Sequence, residues 1–573
     1  MHYSELHNKE IAPSFLTANI ILAVFAAAII IAILILSSVP PVSRDALTHH
    51  LAVPKLYLNH GSIYEIPSLK FSYYPMNLDL LYLIPLYFGN DIAPKYIHFI
   101  FGLLTALLIY RYLKKRINKT YALFGAIFFL SIPVIVKLSI TAYVDLGLIF
   151  FSTASIIFLF KWIESDFRIK HLIVSALFCG LALGTKYNAI IVFFLLSVFV
   201  VFAYIRTYDH GENKPESAKS FKVMYFGIIF IIVSLLVFSP WMARNYIWTK
   251  NPVYPLYNNF FKKLDTKPII QKPYNNNLLN KEKNKIKSKK WSHFATRKVI
   301  YHESLTKILL IPLRIFFEGE DGEPIHFDGK LSPFLLILPF FAFIAFKKDD
   351  KSIKIEKTML LSFSILYILF AFFKIDMRIR YIAPVIPPLI ILSAMGLHNI
   401  FLSLSTRFSF FSRRIYQYCL IVFIGVIVFS NVLYIIKQFD YVKPFGYLSG
   451  KVSRDEYIER YCSEYPAFKY ANNNLPNNAK ILCLFLGNRR YYSNKNVIFG
   501  ENLLKSSVKS SDGIIYDMKK KRITHLLIGY NLFNWWLNNN FSDREKVLIE
   551  KFFNENTALV FSKSGYGLFE LTP

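Results

Sequence analysis

Residues 15–36 read FLTANIILAVFAAAIIIAILIL, an apolar run without a single charge. The hydrocarbon core of a bilayer is about 30 Å thick, and a helix needs about 20 residues to cross it. The run is too long for the apolar part of a signal peptide, and no small-residue cleavage site follows it. It therefore predicts a retained membrane-spanning helix.

Ten further apolar runs follow the first one. They lie at 92–110, 121–140, 144–160, 172–186, 189–204, 224–240, 331–346, 358–373, 382–401 and 416–436. Two shorter runs, 76–88 and 308–317, contain proline or an acid and fall below spanning length, so we expect interfacial or re-entrant segments there. The predicted fold is a polytopic α-helical membrane protein with about 11 spanning helices.

The composition agrees with a membrane protein. Hydrophobic residues make up 54% of the chain and charged residues only 18%, whereas a soluble chain has about a quarter of its residues charged. This excludes a soluble enzyme, a disordered protein and a secreted disulfide scaffold. The four cysteines show no CxxC spacing, which argues against a sulfur-bound metal. For Cys462 and Cys483 both a disulfide and two free thiols remain open.

The net charge of +30 would favour nucleic acid in a soluble protein. Here the short loops at 111–119, 168–170, 206–222, 347–357 and 407–414 carry Lys and Arg, as expected for cytoplasmic loops if the N-terminus is inside. Another part of the excess lies at 241–301, where there are two Arg and twelve Lys against one Asp and one Glu. That stretch is predicted to be outside, facing anionic headgroups or an anionic substrate, and nucleic acid is excluded as a partner.

The C-terminal part changes character. Apolar runs of strand length occur at 480–486 and 524–529, and a hairpin is predicted at 558–562 and 567–571 around Gly565. We predict a membrane domain at 1–437, with long outer loops at 37–91 and 241–330, and a small extracytoplasmic α/β domain at 438–573.

Two acids stand where predicted outer loops meet helices. Asp45 lies in SRDALTHH after the first run, and Asp145 lies in TAYVDLG at the start of another. Two carboxylates in one site can divide the work, one as general base on a hydroxyl and the other orienting it or holding a divalent cation. The plainer alternatives are a loop acid or N-cap for Asp45 and a helix N-terminal acid for Asp145.

A phosphate group that leaves a sugar would need cations nearby. Candidates at predicted outer helix ends are Lys55, Lys70, Lys137, Lys186, Arg244, Arg378 and Arg380. Each alone is more often an interfacial anchor, but their shared location favours an anion site. His49 and His50 would point about 100° apart on a helix and cannot easily share a metal. The acidic turn at 318–323, with His326 and Asp328, lacks the spacing of a calcium-binding EF-hand.

The order of these motifs resembles the bacterial members of the GT-C glycosyltransferase superfamily, such as protein O-mannosyltransferases and lipid A aminoarabinose transferases. The matching pieces, within 18–396, are Asp45, His50-Leu51, Pro54-Lys55-Leu56-Tyr57, Phe71-Ser-Tyr-Tyr-Pro75, Tyr143-Val-Asp145, Gly184-Thr-Lys-Tyr187, Arg244-Asn-Tyr246, Thr249-Lys-Asn-Pro-Val-Tyr-Pro255, and Arg380-Tyr381 with Pro384. The resemblance implies a polyprenyl-phosphate-linked sugar donor, transfer on the extracytoplasmic face of the bacterial cytoplasmic membrane, and an essential acid in the first outer loop. Asp45 is then the first-loop acid and Asp145 the second-loop acid.

The sequence departs from both family patterns. Mannosyltransferases have two adjacent acids in the first loop, whereas Ala46 follows Asp45 here. Aminoarabinose transferases have an acid–lysine pair before the proline, whereas Tyr73 and Tyr74 precede Pro75. Lys70 or Lys55 would have to supply the phosphate-binding lysine.

We therefore predict inverting transfer of a hexosyl or pentosyl group to a hydroxyl of a glycan, glycolipid or protein. Asp45 is the expected base and Asp145 the second catalytic acid; a divalent cation, if one is used, would bind these two. The expected substrate-binding residues are His50, Lys55, Lys70, Lys186, Arg244, Arg378, Arg380 and Tyr381. A flippase for lipid-linked glycans is the alternative, although its ionisable groups would tend to lie near the bilayer midplane. An inactive scaffold is a third possibility.

Overall fold

The computed structural model describes residues 13–207, 216–265, 293–344, 346–375, 377–407, 413–508 and 511–572. The lysine-rich centre of the basic stretch, 266–292, lies outside these residues. The helices that fall on the predicted apolar runs are Pro13–Ser37, Ala93–Arg116, Lys119–Ser131, Pro133–Ser139, Asp145–Glu164, Ile169–Leu183, Ala189–Thr207, Glu216–Thr249, Phe334–Phe341, Lys351–Lys374, Ile386–Arg407 and Arg413–Val442.

Eight helices in the described part of the chain are long and apolar enough to cross a membrane. A ninth crossing results if Lys119–Ser131 and Pro133–Ser139, bent by 66°, count as one. The bend follows from Pro133, which forces the preceding Ile132 out of the helical conformation. The polytopic helical fold is thus confirmed. The number of eleven is not, because Ile169–Leu183 has only 15 residues and Phe334–Phe341 only 8.

Helices of three to nine residues connect these elements. They are Ala46–His50 (a π turn), Ala52–His60, Lys70–Tyr73, Asn77–Leu81, Leu83–Tyr87, Asn258–Asp265, His293–Val299, Leu305–Leu309, Ile311–Arg314, Pro324–His326, Phe346–Lys348 and Ile379–Val385. The runs at 76–88 and 308–317 each form two helices of four or five residues. Helices of that length cannot span a bilayer, in line with the expected interfacial or re-entrant segments.

The outer surface of the helix bundle is apolar. Val24, Leu236 and Val422, each on a different spanning helix, are more than 60% exposed, whereas Asp145–Glu164 is enclosed by its neighbours. An apolar surface this extensive is costly in water and suits a lipid environment. The protein is therefore a multi-pass membrane protein.

The C-terminal domain is a small α/β unit, as predicted. Its helices are Pro444–Leu448, Arg454–Tyr461, Tyr465–Asn474, Asn502–Ser507, Ser511–Lys520, Tyr530–Asn540 and Asp543–Asn556. Its strands are β1 (Lys480–Leu484), β2 (Asn496–Phe499), β3 (His525–Gly529), β4 (Thr557–Lys563) and β5 (Tyr566–Leu571), in the order β2-β1-β3-β5-β4. β1 pairs in parallel with β2 and β3, and β5 pairs antiparallel with β3 and β4. Cys462 and Cys483 are separate buried thiols.

The C-terminal domain is docked onto the segment that carries Asp45. The backbone N–H groups of Arg490 and Tyr491 both donate to the Leu47 carbonyl, at 3.1 Å. The Tyr492 hydroxyl donates to the Pro41 carbonyl at 2.7 Å. Because the π turn at Ala46–His50 shifts the helical hydrogen-bond pattern, the domain supplies partners for its backbone and fixes its position.

Candidate active site

Asp45 forms an ion pair with Arg380. Its Oδ2 lies 2.6 Å from a terminal nitrogen of the Arg380 guanidinium, which also lies over the rings of Tyr143 and Tyr381, 5.5 and 5.2 Å from their centroids. Burial tends to raise the pKa of Asp45, but Arg380 and the neighbouring imidazoles outweigh it and hold the pKa well below its usual range. Asp45 is therefore an ionised carboxylate at neutral pH.

Asp145 forms a second ion pair, with Lys186. The two charged atoms are 2.6 Å apart, and the Asp145 side chain is only 1% exposed. Its other oxygen, Oδ2, has no hydrogen-bond partner among the described residues. The Lys186 ammonium also lies 5.5 Å from the centroid of the Tyr381 ring. Each carboxylate of the pair predicted from the sequence is thus balanced by its own cation.

His98 fixes the start of the helix that carries Asp145. Its Nε2 accepts a hydrogen bond from the Leu146 amide at 2.9 Å. Its Nδ1 lies 3.0 and 2.9 Å from the carbonyl oxygens of Leu138 and Thr141. A neutral histidine with one ring nitrogen donating and the other accepting can bind these carbonyls and the Leu146 amide at the same time. Asp145 is therefore held in place by the fold.

A third buried pair joins His50 to Asp79. His50 Nδ1 lies 2.7 Å from Asp79 Oδ1. Burial lowers the pKa of His50 to about 3 and raises the pKa of Asp79 to about 7. The neighbouring His49 ring stacks on Phe71 with centroids 4.4 Å apart. Asp79 was not among the predicted site residues, and its only signal in the sequence is that it interrupts the apolar run at 76–88.

The short helix that carries Asp79 is pinned at Asn77. The Asn77 amide donates to the Gly184 carbonyl at 2.9 Å, and its side-chain oxygen accepts from Trp241 Nε1 at 2.8 Å. A Cβ on Gly184 would lie 2.3 Å from Asn77 Nδ2, so only glycine allows this approach. The segment at 77–81 is thereby fixed against the loop that carries Lys186 and the helix Glu216–Thr249 that carries Arg244.

Arg244 lies in an aromatic pocket next to this cluster. Its guanidinium carbon is 4.6 and 4.9 Å from the ring centroids of Trp241 and Trp248, and one terminal nitrogen donates to the Tyr74 carbonyl at 3.1 Å. The other terminal nitrogen is buried and without a hydrogen-bond partner in the described part of the chain, as is the Tyr57 hydroxyl. Buried polar atoms are normally paired, so these two are free to bind a ligand.

The structure places three other predicted substrate-binding cations apart from this cluster. Lys55 donates to the Tyr491 carbonyl and the Asn494 side chain, both at 2.8 Å, and so helps dock the C-terminal domain; burial lowers its pKa to about 8. Lys70 is exposed and has no ion pair among the described residues. Arg378 reaches Asp328 at 3.4 Å, in the acidic turn that Lys137 also contacts.

The residues of the cluster fit a divalent cation poorly. In the described ranges no three His, Cys, Asp or Glu side chains are grouped so that they could hold a metal ion. Asp45 and Asp145 each already bind a cationic side chain, which a metal would have to displace. Metal use by Asp45 and Asp145 stays a prediction.

Comparison with known proteins relates the chain to membrane glycosyltransferases. Residues 80–243 match the family model described as dolichyl-phosphate-mannose-protein mannosyltransferase. The crystal structure of ArnT from Cupriavidus metallidurans in the apo state superposes with a TM-score of 0.56 and 12% identity, over 96% of this chain and 97% of ArnT. ArnT bound to undecaprenyl phosphate gives a TM-score of 0.53 and 13% identity, with the same coverage.

A more distant match is the oligosaccharyltransferase of Archaeoglobus fulgidus in its apo form. Its TM-score is 0.50 at 11% identity, over 96% of this chain and 74% of that one. No curated protein sequence matches the chain. The family match confirms the predicted resemblance over residues 80–243, and the fold of ArnT is shared along almost the whole chain.

Proposed function

We propose that the protein transfers a sugar from a polyprenyl-phosphate-linked donor to a hydroxyl group of an acceptor. The observation that carries this proposal is the meeting of Asp45–Arg380 and Asp145–Lys186 at one site, where Arg380 and Lys186 both lie over the Tyr381 ring and Arg380 is within electrostatic reach of Asp145. The relationship to ArnT, which has been crystallised with undecaprenyl phosphate, supports a lipid phosphate as the leaving group.

The reaction is a single in-line displacement. The acceptor hydroxyl loses its proton to Asp45 while its oxygen forms a bond to the anomeric carbon. The bond from that carbon to the phosphate oxygen breaks, and the polyprenyl phosphate leaves with the electron pair. One displacement inverts the anomeric configuration. Holding the two reactants in line and stabilising the leaving charge are the two contributions of the site.

The cations of the site suit the departing phosphate. Arg380 has a buried Nε without a partner among the described residues, so it can bind a phosphate oxygen while its terminal nitrogen still holds Asp45. Arg244 adds the free terminal nitrogen described above. Lys186 stays on Asp145 and adds positive potential at the same place. Preorganised charges of this kind stabilise a developing anion most strongly where water is excluded.

The proposed location is the extracytoplasmic face of the bacterial cytoplasmic membrane. The loops at 111–119, 168–170 and 347–357 are basic, which favours the cytoplasm for their end of the bundle. The active site and the C-terminal domain share the other end. The acceptor is a glycan, a glycolipid or a protein.

The test is Asp45→Asn in purified, reconstituted protein supplied with a polyprenyl-phosphate sugar and an acceptor extract. Loss of the base should lower kcat by about 100-fold or more. Asp543→Asn is the matched control, because Asp543 is fully exposed in the C-terminal domain. A folded Asp45 variant with the wild-type rate would contradict the assignment, and glycolipid flux without sugar transfer would support the flippase instead. Mass spectrometry of co-purifying lipid would identify the donor.

A further inference from the structure

The buried pair His50–Asp79 has no role in the reaction described above. Asp79 is 3% exposed and His50 is 7% exposed. Asp45 and Asp145 are balanced by Arg380 and Lys186, whereas Asp79 has only the His50 ring within ion-pair distance among the described residues. Burying a carboxylate without a cation is costly. Groups retained at such a cost in a cleft are candidates for function.

The distance between the two side chains is set by the fold from both sides. His50 ends the π turn that the C-terminal domain holds at Leu47. Asp79 belongs to the short helix that Asn77 pins to Gly184 and Trp241. Neither segment can shift without breaking these contacts, so the imidazole is held in one orientation.

The contact with Asp79 determines which nitrogen of His50 carries the proton. Above its pKa of about 7 the Asp79 carboxylate is ionised and only accepts hydrogen bonds, so Nδ1 is then the donor. In the neutral ring, Nε2 then carries a lone pair and can only accept. Nε2 has no hydrogen-bond partner in the described residues. The ring lies within electrostatic reach of Asp45, Lys186, Asp145 and Arg380, so it belongs to the active-site cluster.

We propose that Asp79 is a positioning residue that holds His50 in the tautomer whose Nε2 accepts a hydrogen bond from a carbohydrate hydroxyl bound beside Asp45. This inference rests on the proposed sugar transfer. The hydroxyl belongs either to the donor sugar or to the acceptor, and the chemistry of recognition is the same for both. The rival explanation is that the pair only ties two segments together.

The first test is Asp79→Asn, assayed at pH 8, above the pKa of about 7 of the wild-type Asp79. Asparagine keeps the shape but can donate to Nδ1, which leaves Nε2 as the protonated nitrogen, as is known for aspartate-to-asparagine changes beside catalytic histidines. We expect kcat/KM to fall by about tenfold or more, because a hydroxyl bound with its proton directed at Nε2 then faces a second donor instead of an acceptor. Separate titrations of the donor and of the acceptor locate that hydroxyl. A raised KM for the lipid-linked donor places the hydroxyl on the donor sugar, and a raised KM for the acceptor places it on the acceptor.

Glu320→Gln is the matched control. Glu320 also contacts a histidine, His326 Nδ1 at 3.2 Å, but both side chains are more than 40% exposed and lie in the acidic turn. It should leave kcat/KM unchanged. An Asp79→Asn protein that is folded and keeps the wild-type kcat/KM would overturn the proposal.

A second measurement covers the case in which Asp79→Asn does not fold. His50→Gln retains a side-chain oxygen that can accept a hydrogen bond, whereas His50→Leu does not. Higher kcat/KM for His50→Gln than for His50→Leu supports recognition of a hydroxyl, and equal values contradict it. Nitrogen-15 NMR of histidine-labelled wild type at pH 8 needs no activity. A proton on Nε2 of His50 would overturn the inference even if the transferase reaction itself is confirmed.

Discussion

The ion pair Asp145–Lys186 allows stability and activity to be separated. Lys186→Met leaves the Asp145 carboxylate 1% exposed, with one oxygen already without a partner and the other losing its contact at 2.6 Å. Removing one partner of a buried ion pair costs about 3–5 kcal/mol. Because Arg380 also lies within electrostatic reach of Asp145, we expect the lower end, about 3 kcal/mol.

The assay is thermal unfolding of the purified protein in detergent, with the single and double variants compared as a cycle. Lys186→Met should melt several degrees lower than the wild type. Asp145→Asn/Lys186→Met, which removes both charges, should recover most of that loss. Lys469→Met is the control: its pair with Asp455 is equally short, at 2.5 Å, but both side chains are about half exposed. Such surface pairs contribute about 0–1 kcal/mol.

Two results would refute this reasoning. One is a Lys186→Met protein that melts with the wild type, which would mean that the buried carboxylate needs no cation. The other is a double variant less stable than the single one, which would mean that the amide and the methionine side chain do not fit the space. A stable double variant that has lost sugar transfer would separate the functional role of the pair from its structural one.

Three further changes test the frame of the site. Gly184→Ala should reduce the free energy of unfolding by about 1–3 kcal/mol and so lower the melting temperature, because its Cβ would lie 2.3 Å from Asn77 Nδ2. Gly425→Ala is the control: its Cβ would have nothing within 4 Å, so its stability should be unchanged or slightly higher. In the wild type, acidification from pH 7 to 5 destabilises the fold through His50, whose pKa is lowered to about 3, and stabilises it through Asp79, whose pKa is raised to about 7. Asp79→Asn removes the stabilising part, so its melting temperature should fall more steeply between pH 7.5 and 5 than that of the wild type. Lys55→Met removes the hydrogen bonds to 491–494. Limited proteolysis should then cleave the C-terminal domain from the membrane portion several-fold faster than in the wild type. An unchanged rate would show that Lys55 is not needed for docking.

Apolar length predicted the helices of the membrane portion well, because crossing hydrocarbon imposes a length that the sequence must show. The two exceptions have local reasons. Phe334–Phe341 contains Pro339 and ends after eight residues. Ile169–Leu183 ends at Gly184, where the chain turns to meet Asn77. In the C-terminal domain β2, with only four residues, was missed because so short a segment shows no clear alternation.

The two carboxylates of the site could be predicted because each stands at a helix boundary in a distinctive motif. Their partners could not be chosen from the sequence. Arg378 and Arg380 are two residues apart, yet one reaches the acidic turn and the other reaches Asp45. That choice depends on how the helices pack, which no local pattern records. Asp79 was missed for the same reason, since its partner His50 lies 29 residues away.

The pairing of charges also bears on the proposed reaction. Asp45, Asp145, Arg380 and Lys186 together are neutral before the donor binds. In the proposed transfer Asp45 takes up a proton and loses its charge, so Arg380 would lose its counter-ion. At the same moment the phosphate, a diester with one negative charge in the donor, gains a second charge as it leaves. Arg380 can therefore exchange the Asp45 carboxylate for the leaving phosphate as its counter-ion, and the total charge of the buried site stays constant through the step. No uncompensated charge is created in a medium of low dielectric constant, where its cost would be high.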